Sequence, residues 1–168
     1  MRHVRNAAVK IEVARERGEP KRVVEIAKER SVEATREARR LRDPSLAFDE
    51  VWCVFDRDSH ERFFDACTMA RDNGFRLAIS NPCVELWLLL HFRDSPGLRH
   101  REDVTRLVGE VLPGYDKSID FDKLRVGLSD ADRRAEALDL AARKMGEEGR
   151  NPSTGFYLLT RSIARESD

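Results

Sequence analysis

The chain has 168 residues, 40% of them hydrophobic, which is enough to build the core of one domain of ordinary size. Its 31 basic and 31 acidic residues cancel, so any polyanion has to bind at a local patch rather than follow a global field. No apolar stretch approaches the roughly 20 residues that cross a bilayer, and no signal-peptide pattern is present, so we expect a cytoplasmic protein with no membrane contact.

The amino-terminal part predicts a strand, a long helix and a second strand. Apolar residues alternate with charged ones over residues 9–13, which is typical of a half-buried strand. Residues 21–41 carry apolar positions at helical spacing among many charges, and Asp43-Pro44 ends this predicted helix. Residues 48–55 form the second predicted strand.

The middle of the chain continues this alternation. Residues 59–73 predict a helix that Gly74 terminates, and residues 76–80 predict a short strand. Asn81-Pro82 is expected to supply the cap and first-turn proline of an apolar helix over residues 84–92. Strands that alternate with helices predict parallel pairing through right-handed crossovers.

The remainder predicts helices only, at residues 102–112, 131–145 and 154–164. No repeat or linker separates them from the sheet, so residues 1–168 are interpreted as one α/β domain with a helical carboxyl-terminal part. Three widely spaced cysteines in apolar sequence predict packed, reduced thiols rather than disulfides or a zinc site.

Two carboxylates follow the most apolar predicted strand. Asp56 and Asp58 come directly after residues 51–55, where the strand meets a turn. Ligands gather at the carboxyl ends of strands in open α/β sheets, and clustered hard oxygen atoms bind Mg²⁺ or Mn²⁺. Asp58 with Glu61 also has the spacing of a helix capping box, but that alternative leaves Asp56 unexplained.

The apolar helix carries two further candidates. Glu85 is a lone acid in its first turn, where the helix dipole favours a negative charge. Either this structural role explains Glu85, or its side chain points to the strand ends and joins Asp56 and Asp58. His91 lies six positions later on a different face, and a single histidine there is usually a packing residue.

Phosphate contacts have three candidates, each with a simpler alternative. Ser80 and Asn81 follow a predicted strand and could bind phosphate, although helix capping is the simpler role for Asn81. Lys117 lies in a turn-rich loop, where it could reach phosphate as a point charge or only be solvated. The 25 arginines could serve phosphate recognition or reflect genomic base composition. No phosphate-binding glycine loop and no nucleophile elbow occurs.

Four stretches together resemble the RloB family: VWCVFDRDSH at residues 51–60, LAISNPCVELWLLLHF at 77–92, YDK at 115–117 and NPST at 151–154. The resemblance implies a fold similar to TOPRIM, a metal-binding α/β module, with a short, mostly parallel sheet flanked by helices. It also implies a place in bacterial anti-phage defence or restriction loci and an ATPase as partner protein.

The resemblance also implies roles for single residues. Asp56 and Asp58 match an aspartate pair that holds Mg²⁺ or Mn²⁺. Glu85 and His91 match the Glu and His of the family's Asn-Pro helix, and Lys117 matches the lysine of its Tyr-x-Lys turn.

One departure from the family pattern concerns the amino terminus. Such proteins usually begin with a strand that ends in a glutamate serving as general base, and this chain starts after that place. We therefore expect the family's amino-terminal strand to be missing, which leaves either an incomplete site or a branch that binds rather than cleaves.

These expectations define three hypotheses of function. The leading one is a metal-dependent nuclease of prokaryotic anti-phage defence that hydrolyses DNA or RNA phosphodiesters, with Asp56 and Asp58 as metal ligands and Glu85 as a third acid or an orienting residue. The alternative is a non-catalytic subunit that binds nucleic acid or regulates an ATPase. Phosphoryl transfer on a small nucleotide is the third.

Overall fold

The computed structural model describes residues 11–14, 18–57, 61–117, 119–147 and 149–165. In these ranges helices flank a small mixed sheet, which confirms the predicted α/β class and the helical carboxyl-terminal part. The strands are β1 (Trp52–Asp56), β2 (Arg76–Asn81) and β3 (Ser153–Thr154). The helices are α1 (Pro20–Leu41), α2 (Phe63–Asp72), α3 (Glu85–Leu90), α4 (Arg101–Val111), α5 (Phe121–Leu124), α6 (Leu128–Lys144) and α7 (Phe156–Arg165).

The sheet has the order β1-β2-β3 in the part of the chain that is described. β1 and β2 are parallel, with Asp56 opposite Ser80, so the predicted parallel pairing is confirmed for these strands. β3 runs antiparallel to β2, with Ser80 opposite Thr154. The carboxyl ends of β1 and β2 and the beginning of β3 therefore meet at one edge of the sheet.

Two predicted strands differ from the structure. Ile11 and Val13 lie outside any strand and are 59% and 78% exposed, so the strand over residues 9–13 is wrong where the chain is described; Val9 lies outside the described residues. Alternation alone does not form a strand without a paired neighbour. The second predicted strand, at residues 48–55, is longer than the observed β1, which begins only at Trp52. A 3₁₀ turn at Pro44–Leu46 and an irregular segment precede β1.

The two faces of the sheet contact different helices. On one face Cys53 and Phe55 of β1 pack with Val24 of α1 and with α2. Toward the other face lies α3, whose six residues are all buried against α4 and α6. This burial explains the continuous apolar sequence of α3 and fixes its first residue, Glu85, close to the carboxyl end of β2.

The start of α2 differs from the predicted one, and its end agrees. The helix begins at Phe63 with Arg62 as its cap residue, so Glu61 precedes the helix and does not complete a capping box; Asp58 lies outside the described residues. At the other end, Gly74 has a φ of 72° and its N–H donates to Arg71 O. This left-handed residue after the helix confirms the predicted terminating glycine.

The predicted cap of the apolar helix is wrong. α3 begins at Glu85 with Val84 as its cap residue, and Asn81 is the last residue of β2. Asn81 Nδ2 donates to Gly149 O at 2.9 Å, so its side chain holds a loop rather than a helix end. Pro82 precedes the helix and does not lie in its first turn.

The three cysteines are buried and unpaired, which confirms the prediction of packed thiols. Within the described ranges, no helix combines the length and the apolar character that a membrane span requires.

Candidate functional site

Asp56 ends β1 and joins three elements. Its Oδ1 accepts a hydrogen bond from Val84 N–H at 2.9 Å, at the start of α3. Its Oδ2 lies 3.1 Å from Arg101 Nη2, at the start of α4, and the Asp56 side chain is 22% exposed. The carboxylate is therefore oriented by a backbone donor, neutralised by a guanidinium and still reachable from solvent.

Glu85 follows Val84, whose N–H donates to Asp56, and is almost completely buried, at 8% exposure. Tyr115 O–H donates to Glu85 Oε1 at 3.5 Å, and the Cys83 thiol lies close enough for the charge of Glu85 to raise its pKa. Burial is the main cause that raises the pKa of Cys83 to about 12, and the neighbouring carboxylates of Glu85 and Asp56 act in the same direction. Both carboxylates thus lie near the same thiol, which stays protonated at neutral pH.

Tyr115 completes a group that we call the strand-end cluster: Asp56, Cys83, Glu85, Arg101 and Tyr115. Tyr115 is half-buried against the apolar core around α3. Burial raises its pKa to about 12, with Glu85 as the next cause, so the phenol remains a hydrogen-bond donor at physiological pH. The cluster places two carboxylates, a guanidinium and two neutral donors at the carboxyl edge of the sheet.

Sequence reasoning overlooked Cys83 and Arg101 as members of this cluster. Cys83 follows the Asn-Pro pair and precedes Glu85 by two positions, a spacing that could have drawn attention to it. No local signal identifies Arg101, because only the packing of α4 against α3 brings it to Asp56.

Asp56 supplies the type of ligand that a hard divalent cation prefers. Carboxylate oxygens suit Mg²⁺, which commonly takes only one or two protein carboxylates and completes its shell with water and phosphate. Among the described residues no three His, Cys, Asp or Glu side chains converge closely enough to hold a metal ion. Asp58, the expected second ligand, lies outside the described residues.

A loop before β3 covers the same edge and is tied down by polar contacts. Gly149 O accepts hydrogen bonds from Arg57 Nη1 at 2.7 Å and from Asn81 Nδ2 at 2.9 Å. Asn151 Nδ2 donates to Arg99 O at 2.7 Å, and Arg99 N–H donates back to Asn151 Oδ1 at 3.4 Å. These contacts hold the Arg57 side chain and the Arg99 backbone at the end of the sheet where Arg101 pairs with Asp56.

Two predicted phosphate contacts have different surroundings. Ser80 is 2% exposed, and its Oγ lies 2.8 Å from Thr154 Oγ1, so this hydroxyl pair joins β2 to β3 in the interior. Lys117 is exposed on the turn that follows Tyr115, with a φ of 71°. The structure thus buries Ser80 and presents Lys117 to solvent.

His91 lies at the other end of α3, about 9 Å along the helix from Glu85 at 1.5 Å per residue. It is 7% exposed, and its Nδ1–H donates to Trp87 O at 2.9 Å. Its Nε2 has no hydrogen-bond partner in the described ranges. Desolvation lowers the pKa of His91. The structure therefore does not bring His91 to the strand-end cluster.

Comparison with known proteins identifies a family for this chain. No curated protein and no solved structure matches the chain with significant similarity. A family model described as RloB-like protein matches residues 1–163, which include every residue of the strand-end cluster. The chain therefore belongs to the family of RloB-like proteins.

Proposed function

We propose that this protein is a metal-dependent nuclease of a prokaryotic anti-phage defence system, which hydrolyses phosphodiester bonds of DNA or RNA at the strand-end cluster. The observation that carries the proposal is the position of Asp56. Its carboxylate ends a parallel strand, faces solvent in part and is oriented by Val84 N–H. Family membership supports the proposal without identifying the reaction.

Mg²⁺ or Mn²⁺ is the proposed cofactor, with Asp56 and Asp58 as its protein ligands. When bound, such a cation stabilises charge on a phosphodiester and makes water a better nucleophile. The Val84 N–H bond to Oδ1 holds the Asp56 carboxylate in one orientation and leaves Oδ2 as the atom that can exchange partners.

Glu85 is proposed to position the site rather than to bind the cation. Its carboxylate is buried and accepts a hydrogen bond from Tyr115, so it holds the turn that carries Lys117. Lys117 is exposed and would bind phosphate as a point charge. His91, on this proposal, supports α3 by packing.

The test compares Asp56→Asn with Asp103→Asn, which makes the same charge change on the surface of α4. Asparagine at position 56 can still accept the Val84 N–H bond, so the fold should be retained. We expect the wild-type chain and Asp103→Asn to cleave single- or double-stranded DNA or RNA with Mg²⁺ or Mn²⁺. Asp56→Asn should lower the rate by about a hundredfold or more, because mutating even the outer-shell partners of metal ligands costs about 10- to 100-fold. Equal cleavage by both variants would disprove the role of Asp56.

A second candidate is a non-catalytic subunit that binds nucleic acid or regulates an ATPase. The observation that favours it is that both oxygens of Asp56 already have protein partners, Val84 N–H and Arg101. On this reading Asp56 joins β1 to two helices and needs no cation. Asp56→Asn would then leave nucleic-acid or ATPase binding unchanged, whereas replacing Arg57 or Arg99 would weaken it.

A further inference from the structure

The pairing of Arg101 with Asp56 is unusual for the place of Arg101 in its helix. Arg101 is the first residue of α4, where the helix dipole disfavours a positive charge and favours the neighbouring Glu102 and Asp103. The 3.1 Å contact with Asp56 Oδ2 compensates this disadvantage. The carboxylate of β1 thus offsets the unfavourable position of this arginine in its own helix.

We propose that Arg101 is a substrate-binding residue of this site and exchanges its carboxylate partner for a substrate phosphate when Asp56 serves as a cation ligand. This inference rests on the proposed function. In the pairing seen here, the guanidinium neutralises Asp56 and holds the site closed to other cations. Once Asp56 Oδ2 binds a cation, the guanidinium N–H groups of Arg101 remain beside Asp56 and can bind a phosphate there.

The exposure of the pair permits this exchange. The side chains of Arg101 and Asp56 are 41% and 22% exposed, and ion pairs in contact with solvent contribute little to stability. A guanidinium also matches phosphate geometry with paired N–H donors, so the exchange replaces one charge-assisted contact with another. Asp56 keeps its orientation throughout, because Val84 N–H holds Oδ1.

Arg57 differs from Arg101 in this respect, although both lie at the same edge. Arg57 Nη1 donates to the backbone carbonyl of Gly149, and its guanidinium lies 5.7 Å from the ring centre of Phe63. These contacts hold the loop before β3 and do not involve a proposed cation ligand. Arg101 is therefore the arginine whose partner changes when the site is loaded.

The test compares Arg101→Gln with Arg106→Gln, which removes an exposed arginine of the same helix that pairs with Asp103 and Glu110. Calorimetric titration with Mn²⁺ alone measures cation affinity. Titration with single-stranded DNA and RNA oligonucleotides in Ca²⁺ measures substrate binding without turnover. We expect Arg101→Gln to bind Mn²⁺ about three- to tenfold more tightly, since a competing cation is removed, and to bind the oligonucleotide about tenfold more weakly.

Salt dependence and a second variant separate phosphate binding from a structural role. Loss of one phosphate contact should reduce the slope of log affinity against log salt by about 1. Arg101→Lys should restore part of the oligonucleotide affinity, because it keeps the charge. Arg106→Gln should leave both affinities at the wild-type value.

The outcomes that overturn the inference differ from those that overturn the proposed function. If the wild-type chain takes up no Mn²⁺, the proposed nuclease site fails and the inference fails with it. If the wild-type chain and Arg101→Gln bind Mn²⁺ and oligonucleotide equally well, only the inference is wrong. Weaker Mn²⁺ binding by Arg101→Gln and Arg101→Lys alike would also overturn it, since Arg101 would then only support the fold.

Discussion

Polar groups gather at both ends of α3, and the two groups differ in how they meet solvent. The strand-end cluster contains a carboxylate that is 22% exposed and an arginine that is 41% exposed. The second group, which we call the far-end cluster, consists of Trp87, His91, Asp132 and Thr160. Its Asp132 and His91 are 9% and 7% exposed.

The far-end cluster satisfies its buried carboxylate with internal donors. Thr160 O–H lies 3.0 Å from each oxygen of Asp132, and Trp87 Nε1–H donates to Oδ1 at 3.4 Å. Burial raises the pKa of Asp132 and lowers that of His91, so both groups are shifted toward their neutral forms. A sealed group of this kind stabilises packing, whereas the exposed pair of the strand-end cluster can change partners.

The largest effect on the far-end cluster is expected from Gly127→Ala. A Cβ atom at position 127 would lie 2.4 Å from His91 O, a backbone atom that cannot move aside. We expect a loss of roughly 3 kcal/mol in the free energy of unfolding, the upper end of the range for overpacking. Urea denaturation measures this loss.

Gly109→Ala is the matched control. Gly109 lies inside α4, and a Cβ atom there meets nothing within 4 Å. Alanine should therefore stabilise the chain by about 0.5–1 kcal/mol through helix propensity. If both alanine substitutions changed the free energy of unfolding in the same direction, the close contact between position 127 and His91 O would not explain the effect of Gly127→Ala.

Asp132→Ala is expected to cost less, about 2 kcal/mol, because Trp87 Nε1–H loses its acceptor in a buried place. Thr160 O–H can still donate to Tyr157 O at 3.0 Å, which limits the loss. Asp132→Asn keeps an acceptor and removes the buried charge, so its unfolding free energy should stay close to the wild-type value. Chemical denaturation at pH 7 distinguishes the two, and equal losses would show that charge rather than hydrogen bonding matters at this position.

The sequence predicts those features of both clusters that depend on local pattern. The helix at residues 21–41, the burial of α3 and the position of Asp56 at a strand end all follow from apolar spacing and from the turn after β1. Glu85 in the first turn of α3 follows in the same way. Each of these features is encoded in one continuous stretch of sequence, where windows of roughly 11–18 residues reveal the helical period.

Features that depend on contacts between distant segments could not be predicted. β3 has two residues, which is too short to show a period of two, and its pairing with β2 depends on the loop tied to Asn81. Arg101 pairs with Asp56, and Trp87 donates to Asp132, only because helix packing brings these distant residues together. Residues 11–13 show the reverse case, an alternating pattern that forms no strand.

The smallest expected effect is a change in the pH dependence of stability caused by His91. Burial is the main cause that lowers its pKa below the ordinary value of 6.5, the charge of Arg134 acts in the same direction, and the charge of Asp132 and the carbonyl of Trp87 oppose it. The unfolded chain therefore binds a proton near pH 6.5 before the folded chain does. Above pH 6.5, His91 is neutral in both states and does not lower the free energy of unfolding. Between pH 6.5 and the pKa of the folded state, protonation of the unfolded chain lowers the free energy of unfolding as the pH drops.

His91→Gln tests this dependence against His100→Gln, which replaces the exposed histidine before α4. For one proton the slope cannot exceed about 1.4 kcal/mol per pH unit. Urea denaturation between pH 7.5 and 5 should show a shallower loss of stability for His91→Gln than for the wild-type chain and His100→Gln. Asp132 has a raised pKa that stabilises the folded state as the pH falls, and it is present in all three proteins. The charge of His91 lowers the pKa of Asp132, so losing this charge in His91→Gln acts in the same direction as the expected shallower loss. A slope that His91→Gln leaves unchanged would mean that the histidine at the far end of α3 is protonated without unfolding, and the far-end cluster would then be as open to solvent as the strand-end cluster.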